Sequence, residues 1–453
     1  MNEFIKTLTE QIRCVKAREG VAREVSDHIL DQAAAYEESG MEHDKAVEMA
    51  VHEMGDPVEI GVSLDRIHRP QTNWKLLLIT FVLTMAGLLV MYSIYGLSTI
   101  VSRQCVFTAA GLAVILAVNF IDYSVIGRFG YLAYILMTAV FFIGQHTLQS
   151  VNGRVPALAI LVYLYAPVFA GILYRMRGGS YGAVIKGIGL IFLTSYLCVK
   201  FGSSAVIGLN MFLVLLILLF VAVRKNMFQV KRKTATCLTV LAGMLPFFML
   251  FLTLLVPGGG FRKERILAFF HRKEYRQTVG YVYGAIDAIL GNLRVVGQGN
   301  ETVYTASEVV EGNNLILLRL MHQYGLITGI VLLLLFAVFA VGVMKIVQSQ
   351  KNQLGMLVSA SCFLVFVVNC FEGILVNLGL CPMTSVTIPF ITFGGSAALV
   401  YSVLIGLILS VHRYEKIISP AARIQRPRWH LRVNLEKDSG SDQDYTLAAK
   451  SVK

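Results

Sequence analysis

Long apolar blocks alternate with short polar stretches from residue 74 to about residue 411 of the chain. Most blocks approach the roughly 20 apolar residues that a helix needs to cross a bilayer. A helix satisfies its backbone hydrogen bonds within one segment, as the lipid interior requires. The pattern therefore predicts an all-α, polytopic membrane protein of about ten transmembrane helices. The predicted spans cover residues 74–97, 106–121, 129–146, 156–174, 182–199, 204–223, 237–256, 322–344, 354–378 and 388–411.

The first 70 residues are polar and have no signal-peptide pattern, so no cleaved leader is expected. Two helices are predicted over 44–54 and 58–67, because Gly55 and Pro57 interrupt the chain between them. Residues 1–70 are expected to form a small cytoplasmic helical bundle. The runs at 40–41, 45–47 and 54–57 resemble permease prefix domains, and a generic three-helix bundle without a partner is the alternative. The first of the three helices is predicted from helically spaced apolar residues, which are Ile12, Val15, Val21, Val25, Ile29 and Leu30.

Basic residues cluster after the even-numbered spans, which fixes a predicted topology. Lys and Arg are enriched in cytoplasmic loops, and ten spans with residues 1–70 inside place every cluster on one side. The prediction is a bacterial plasma membrane protein with both termini in the cytoplasm. The clusters are Arg175, Arg177 and Lys186, then Arg224, Lys225, Lys231, Arg232 and Lys233, then Lys345 and Lys351, then Arg413 and Lys416.

The predicted ten-span membrane domain covers 74–415, and its long connection, 257–314, falls outside the cell in this topology. Connections of this length are usually functional or disordered. This one keeps helical periodicity in its apolar residues, so structured helices on the outer membrane face are expected. Residues 416–453 are polar and are expected to form a flexible cytoplasmic tail.

Composition excludes several classes of protein. With 56% hydrophobic and 15% charged residues, the chain is not an ordinary soluble enzyme. The formal net charge of +12 is explained by basic cytoplasmic loops, so no nucleic-acid partner is inferred. The seven cysteines form no CxxC pair and the nine histidines no HExxH pair, so no metal site is predicted. Walker, GxSxG and GxGxxG motifs are missing as well, which argues against ATP-driven transport and serine hydrolysis.

The outer connection carries the first candidate site. Its early half is basic, and Arg265 belongs to a group of cations that suits a phosphate or pyrophosphate ligand. A solvated helix face on anionic lipid is the alternative. Gly297 and Gly299 permit close backbone approach to a ligand, although glycines also simply make turns.

The last connection and the ninth span carry the other candidates. Prolines and small residues at the mouth of the tenth span predict a broken, re-entrant backbone that lines a cavity, with close helix packing as the alternative. Glu372 lies within a span, where a carboxylate is costly and is by default a functional candidate. Its alternative is a neutral, hydrogen-bonded side chain. The re-entrant candidates are Pro382, Pro389, Gly394, Gly395 and Ser396.

Three runs of residues resemble one family. Residues 378–396, continued by 406–410 and 412–413, resemble the end signature of the SEDS proteins, the FtsW/RodA/SpoVE family of shape, elongation, division and sporulation. The runs at 265–269, 280–281 and 297–299 resemble the stretch before the family's catalytic loop. Residues 324–329 are similar to the start of its eighth span. The resemblance covers roughly residues 75–415.

The resemblance implies peptidoglycan glycosyltransfer, in which lipid II is polymerised at the outer face beside a transpeptidase, a penicillin-binding protein. Such chemistry needs a carboxylate that deprotonates the attacking hydroxyl and cations that stabilise the leaving pyrophosphate. The implied partners are a lipid-linked cell-wall precursor, the transpeptidase and the membrane. No cofactor is implied, although the family analogy allows a divalent cation.

The sequence departs from the family pattern at charged positions. Asn314 occupies the position of the loop aspartate, and an amide is not a general base near neutral pH. Glu311, one helical turn earlier, is the substitute if the loop rearranges. Three hypotheses stay open: a glycosyltransferase, a non-catalytic scaffold or regulator of a synthase, and a precursor flippase that uses Glu372. Further departures are Ser385 and Thr387 for glycine and proline, and Phe169 and Ile172 for the charged pair that follows Pro167 in a QPSE-like alignment.

Overall fold

Helices make up all the regular structure that is described. The computed structural model of the chain describes residues 1–148, 155–202, 205–255, 260–275, 278, 280–301, 313–384 and 387–415. Every regular element within these ranges is an α-helix or a short 3₁₀ helix. The prediction of an all-α, polytopic fold is therefore confirmed.

The N-terminal bundle contains four helices, whereas the sequence predicted three. The predicted first helix is divided near Ile12, because the backbone N–H of Arg13 donates to Asp65 Oδ1 at 2.9 Å. This contact with the last helix of the bundle turns the chain, and Val15 then lies 73% exposed rather than in the core. The helices are α1 Asn2–Glu10, α2 Val15–Glu38, α3 His43–Glu53 and α4 Pro57–Ile67.

Eight of the following helices are long and apolar enough to cross a membrane. Two further segments occupy the predicted fourth and seventh span positions: the broken run α8 Pro156–Ala159, 3₁₀ Leu161–Leu164 and α9 Tyr165–Arg175, and α12 Arg232–Leu255. The eight are α5 Trp74–Tyr95, α6 Thr99–Phe120, α7 Ser124–Thr147, α10 Tyr181–Gly202, α11 Ala205–Arg224, α16 Leu326–Ser349, α17 Gln353–Asn377 and α18 Gly395–Arg413.

Several span boundaries differ from the predicted ones, and three of the differences have a clear local cause. The second span begins at Thr99 rather than at 106, because the Ser98 side chain accepts from Val101 N and caps the helix. The predicted eighth span is divided at Gly325, where φ is +98°. The tenth begins at Gly395, because apolar residues 388–394 form an irregular segment instead of a helix. Three shorter helices lie in the described part of the outer connection and its return to the membrane: α13 Gly260–Phe270, α14 Tyr281–Leu290 and α15 Ile316–Tyr324.

The interior of the bundle includes α11, α17 and α18, together with α9, whose residues are nearly all buried. Within the apolar cores of α11, α17 and α18, 61%, 72% and 67% of residues are buried, against 22% for α5. Helices α6 and α18 approach closely through small residues. A Cβ added at Gly111 would lie 2.6 Å from Ser402 Oγ, and one at Gly406 would lie 2.6 Å from the Val118 side chain. Small residues at such contacts let helix backbones pack closely in membranes.

Contacts between connections identify the two ends of the bundle. At one end, called the prefix side, the Tyr414 hydroxyl after α18 donates to Phe120 O at 2.9 Å, and Tyr414 also packs against the core of the N-terminal bundle. At the other end, called the loop side, residues 260–301 and 313–324 meet the segment between α17 and α18. The candidate residues of the two connections therefore share one end of the molecule.

Candidate functional site

The described residues of the segment 378–394, which are 378–384 and 387–394, are folded into the loop side of the bundle. Ile388 and Ile391 are each 1% exposed, and Phe390 has a positive φ of +70°. The Phe390 ring packs on Phe366 with a centroid distance of 5.2 Å. A Cβ at Gly87 of α5 would lie only 2.1 Å from the Phe390 carbonyl oxygen. The predicted irregular backbone is thus confirmed, and close contacts on several sides hold it.

The candidate residues of this segment have mainly packing contacts. Gly394 N donates to Gln104 Oε1 of α6 at 3.3 Å, and a Cβ at Gly395 would lie 2.5 Å from the Phe107 ring. Pro389 is buried, whereas Pro382 and Ser396 are partly exposed. A ligand role for Pro382, Pro389, Gly394, Gly395 and Ser396 stays a prediction.

Asn314 lies at the foot of the outer connection and is held by Asn377. It belongs to the 3₁₀ turn Asn313–Leu315 that leads into α15. The Asn377 side chain, at the end of α17, donates to Asn314 O at 3.0 Å and accepts from Leu318 N at 2.9 Å. Asn377 is fully buried. One buried amide therefore fixes the turn that carries Asn314 to the central helix of the bundle.

Arg272 links the outer connection to the segment 378–394. Its guanidinium pairs with Asp287 Oδ1 at 2.7 Å and donates to the carbonyl of Gly379. It also lies over the ring of Tyr283, whose hydroxyl accepts from Met383 N at 3.0 Å. In the sequence, Arg272 is one of several basic residues in the early half of the outer connection and has no motif of its own. Here it orders the site as an anchor, and the roles of Asp287 and Tyr283 had no sequence signal.

Gly297 and Gly299 form a short pairing with the turn between α15 and α16. Gly297 N donates to Tyr324 O at 3.1 Å, and Gly299 N donates to His322 O at 2.8 Å. Gly297 has a φ of +83°, and a Cβ at Gly299 would lie 2.7 Å from Asn292 O. Both glycines are therefore required by the backbone itself. Their contact with a ligand stays a prediction.

Glu372 lies in α17, five residues before its end on the loop side. It is 9% exposed, and the side-chain amide of Asn210 in α11 donates to its Oε2. The Thr384 hydroxyl lies beside it. Among the residues that the structure describes, Glu372 Oε1, Thr384 Oγ1 and Tyr401 Oη are buried and make no well-aligned hydrogen bond. Buried polar atoms of this kind are rare and mark a position that favours polar chemistry.

The polar cluster around Glu372 extends toward the fourth span. The Tyr163 hydroxyl donates to Asn369 Oδ1, one turn before Glu372, at 2.6 Å. Neither Tyr163 nor Asn210 was identified from the sequence, because single polar residues in apolar helices give no periodic signal. Phe169 and Ile172, which replace charged residues in the family alignment, are fully buried in the same bundle.

Cys381 is a titratable residue of the segment 378–394, close to the polar cluster around Glu372. Burial raises the pKa of its thiol, and the nearby Glu372 carboxylate raises it further. The thiol is therefore protonated at neutral pH and is not an activated nucleophile. The chemistry of the site depends on other groups.

Two predicted site residues cannot be placed with side chains. Arg265 lies in α13, but only its backbone is described, and Glu311 lies outside the described residues. Within the described ranges, no group of three or more His, Cys, Asp or Glu residues could hold a metal ion. The described site thus combines a hydrogen-bonded asparagine turn, an arginine anchor and a buried carboxylate.

Comparison with known proteins gives matches over the membrane domain. The family model for the cell cycle protein family FtsW/RodA/SpoVE matches residues 73–417. Stage V sporulation protein E of Bacillus subtilis is 30% identical over 97 residues, which are 21% of this chain and 26% of that protein. The probable peptidoglycan glycosyltransferase FtsW of Geobacter metallireducens is 25% identical over 173 residues, 37% of this chain and 46% of that protein. The chain thus matches less than half the length of these curated relatives.

Solved structures share the fold of the membrane domain. A chain in a peptidoglycan synthase complex that coordinates polymerization and crosslinking matches with a TM-score of 0.60 at 18% identity, covering 76% of this chain and 98% of that chain. The rod shape determining protein RodA of Thermus thermophilus matches with a TM-score of 0.53 at 14% identity, covering 76% and 97%. These structures show that the membrane domain shares its all-α, polytopic fold with those proteins.

Proposed function

The chain belongs to the FtsW/RodA/SpoVE family of cell cycle proteins, and we propose that it acts in bacterial cell-wall synthesis by binding a lipid-linked cell-wall precursor at the loop side. The site has the form that such a ligand needs, since it joins a cationic anchor to a polar cluster at the end of apolar spans. In this proposal the loop side faces outward, and both termini lie in the cytoplasm of the plasma membrane.

The proposed activity is peptidoglycan glycosyltransfer, the activity for which the FtsW relative is named. The observation that carries it is the buried Asn377 contact, which holds the Asn314 turn at the foot of the outer connection. Since an amide is not a base near neutral pH, Glu311 is proposed as the general base that deprotonates the attacking sugar hydroxyl. Arg265 is proposed to stabilise the leaving pyrophosphate. Gly297 and Gly299 are proposed to line the approach to the precursor.

A transpeptidase is the proposed partner. The peptidoglycan synthase complex with a similar chain coordinates polymerization with crosslinking, and a polymerase gains from a neighbour that crosslinks its product. In this proposal the transpeptidase acts at the loop side. Residues 1–70 lie on the prefix side, where a cytoplasmic protein can bind them.

A second candidate function follows from Asn314. If no other carboxylate reaches the reacting hydroxyl, the fold retains the precursor site but lacks the base, and the protein regulates a synthase instead. A flippase that uses Glu372 is less favoured, because the FtsW relative is named a probable peptidoglycan glycosyltransferase rather than a transporter.

The test is lipid II polymerisation by the purified full chain in detergent, with and without a transpeptidase. We compare wild type, Glu311→Gln and Asn314→Asp. Asn300→Asp is the matched control, because it makes the same amide-to-acid change on the loop side, at an exposed residue that accepts from Arg294. We expect wild type and Asn300→Asp to make glycan chains, and Glu311→Gln to lose about 100-fold or more in rate, as for a removed general base.

The other outcomes separate the candidates. Chains from Asn314→Asp alone would show an intact precursor site without its base, and would support the regulator. Equal rates for wild type and Glu311→Gln would refute Glu311 as the base. Binding of lipid II without polymerisation by any variant, with the partner added, would refute the glycosyltransferase and leave precursor binding.

A further inference from the structure

A basic cleft lies between α11 and α12 on the prefix side, away from the site described above. It is open, has a volume of about 570 Å³, and is called the α11–α12 cleft here. Its cations stand at the end of one span and at the start of the next, so they lie at the level where a membrane helix meets the headgroups. The lining residues are Arg224, Arg232, Lys233, Thr236, Cys237, Val240 and Leu241.

The backbone that carries these cations is fixed by the neighbouring connection. Gly178 N donates to Met227 O at 2.7 Å, and Gln229 N donates to Gly179 O at 2.9 Å. Met227 and Phe228 are buried. The turn between α11 and α12 is therefore docked on the turn between α9 and α10. The spacing of Arg224 from Arg232 is set before any ligand arrives.

The cations of the cleft have no ion-pair partner among the residues that the structure describes. No carboxylate lies within salt-bridge distance of Arg224, Arg232 or Lys233 in that part of the chain. Basic residues on this side agree with the general enrichment of cytoplasmic loops. That enrichment explains why these residues are positively charged. It does not explain why they line a cleft or why the backbone fixes their spacing.

Two further features of the cleft point to a ligand with a polar head and an apolar tail. Thr236 Oγ1 is buried and has no hydrogen-bond partner within the described ranges. Beyond it, Val240 and Leu241 are 50% and 59% exposed. They lie about 12 Å deeper along the helix than Arg232, given a rise of 1.5 Å per residue. A cationic rim, a free hydroxyl and an apolar wall follow one another along a single helix.

We propose that the α11–α12 cleft binds an anionic phospholipid of the surrounding bilayer. Arg224, Arg232 and Lys233 bind the phosphate, and Thr236, after rotation of its side chain into the cleft, donates to a headgroup oxygen. One acyl chain lies along Val240 and Leu241. Basic pockets between spans on this side of a membrane are suited to acidic headgroups. The apolar wall favours a lipid over free phosphate, because phosphate has no acyl chain to pack against it. This site does not depend on the function proposed for the loop side.

The test measures lipid binding to the purified full chain in neutral detergent. Phosphatidylglycerol, phosphatidylcholine and inorganic phosphate are titrated separately. Bound lipid is counted by native mass spectrometry, and the melting temperature is measured on the same samples. The cleft variant is Arg232→Gln with Lys233→Gln. The matched control is Lys225→Gln with Lys231→Gln, which removes the same charge from the same turn but outside the cleft lining. Thr236→Val and Val240→Trp test the hydroxyl and the apolar wall.

We expect phosphatidylglycerol, but not phosphatidylcholine, to bind wild type and the control and to raise their melting temperature. The cleft variant should bind roughly tenfold or more weakly, since each cation near a membrane surface contributes about a fivefold factor and the variant removes two. Thr236→Val and Val240→Trp should also weaken binding.

Three results would contradict the proposal. Equal loss of binding in both double variants would mean that diffuse surface charge attracts the lipid. Competition by millimolar inorganic phosphate would mean a free-anion site, and equal binding of both lipids would mean apolar contact alone. Each result would overturn the proposal.

Discussion

At the scale of single residues, the ionisation of Glu372 decides what the polar cluster can do. Asn210 donates to one carboxylate oxygen, and the other oxygen makes no well-aligned hydrogen bond in the described part of the chain. A charged Glu372 attracts a cation or a ligand donor, whereas a neutral one is itself a donor. The thiol of Cys381 reports on that charge from outside the helix, because Glu372 contributes to its raised pKa.

We therefore predict the pH profile of Cys381 alkylation in a variant that keeps Cys381 alone. Because its folded-state pKa is raised, the rate should reach half its maximum at a higher pH than for a free thiol in solution. Glu372→Gln removes the negative charge, so the midpoint should move to lower pH. The measurement is the maleimide labelling rate between pH 7 and 11, a range chosen about the free-thiol pKa of ~8.5.

The control is a variant that keeps Cys237 alone, on the prefix side. Its labelling profile should not respond to Glu372→Gln. An unchanged Cys381 profile would mean that Glu372 carries no charge in this pH range, which contradicts the prediction.

The candidate residues could be found from the sequence only where chemistry itself gave the signal. Glu372 stood out because a carboxylate in an apolar block is costly. Asn377 gave no comparable signal, although its side chain holds Asn314, because its partners Asn314 and Leu318 lie 63 and 59 residues away. Such a contact depends on how α15 meets α17, which no local pattern specifies.

At the scale of elements, the segment 387–394 depends on a glycine in another helix. The carbonyl of Phe390 approaches α5 where Gly87 has no side chain. The positive φ of Phe390 is unfavourable for a bulky residue and persists only because its surroundings hold it. The packing of Gly87 against Phe390 is therefore a structural requirement of the loop side.

We predict that Gly87→Ala destabilises the protein by about 1–3 kcal/mol through overpacking. Its Cβ would lie 2.1 Å from Phe390 O, so the segment must shift. The melting temperature in detergent should fall. Gly189→Ala in α10 is the matched control, because nothing lies within 4 Å of its added Cβ. That change should be neutral or stabilise by up to about 1 kcal/mol through helix propensity. Equal melting temperatures for both variants would disprove the clash.

The apolar blocks could be predicted from sequence, but the ends of the spans could not. The bilayer imposes a length on each apolar helix, and eight of the ten predicted blocks contain a helix of that length in the described part of the chain. Residues 388–394 are as apolar as a helix, yet they form an irregular segment because Phe390 packs among α5, α16 and α17. The third span was predicted to start at residue 129, but α7 begins at Ser124. Phe129 has non-helical dihedral angles inside this helix, so the predicted start coincides with a break in the helix and not with its first residue.

At the scale of the whole molecule, the N-terminal bundle is connected to the membrane domain at the end of α18. Tyr414 packs against the bundle core, and its hydroxyl donates to Phe120 O of α6. Arg413 donates to Thr72 in the linker at 2.8 Å. At their opposite ends, α6 and α18 meet the loop-side segment through Gln104 and Gly394. The same two helices thus contact both regions of the protein.

We predict that Tyr414 is the contact that positions the N-terminal bundle on the membrane domain. Tyr414→Ala removes both the ring from the bundle core and the hydrogen bond to Phe120, so the bundle should sample many orientations. Spin labels at Ser63 in α4 and Gln348 in α16, both exposed, should give a narrow distance distribution in wild type and a broad one in Tyr414→Ala. Tyr414→Phe keeps the ring and should stay narrow, and Tyr196→Ala, at an exposed residue of α10, is the control. A narrow distribution in Tyr414→Ala would show that the linker alone positions the bundle, because the ring contact would then be dispensable.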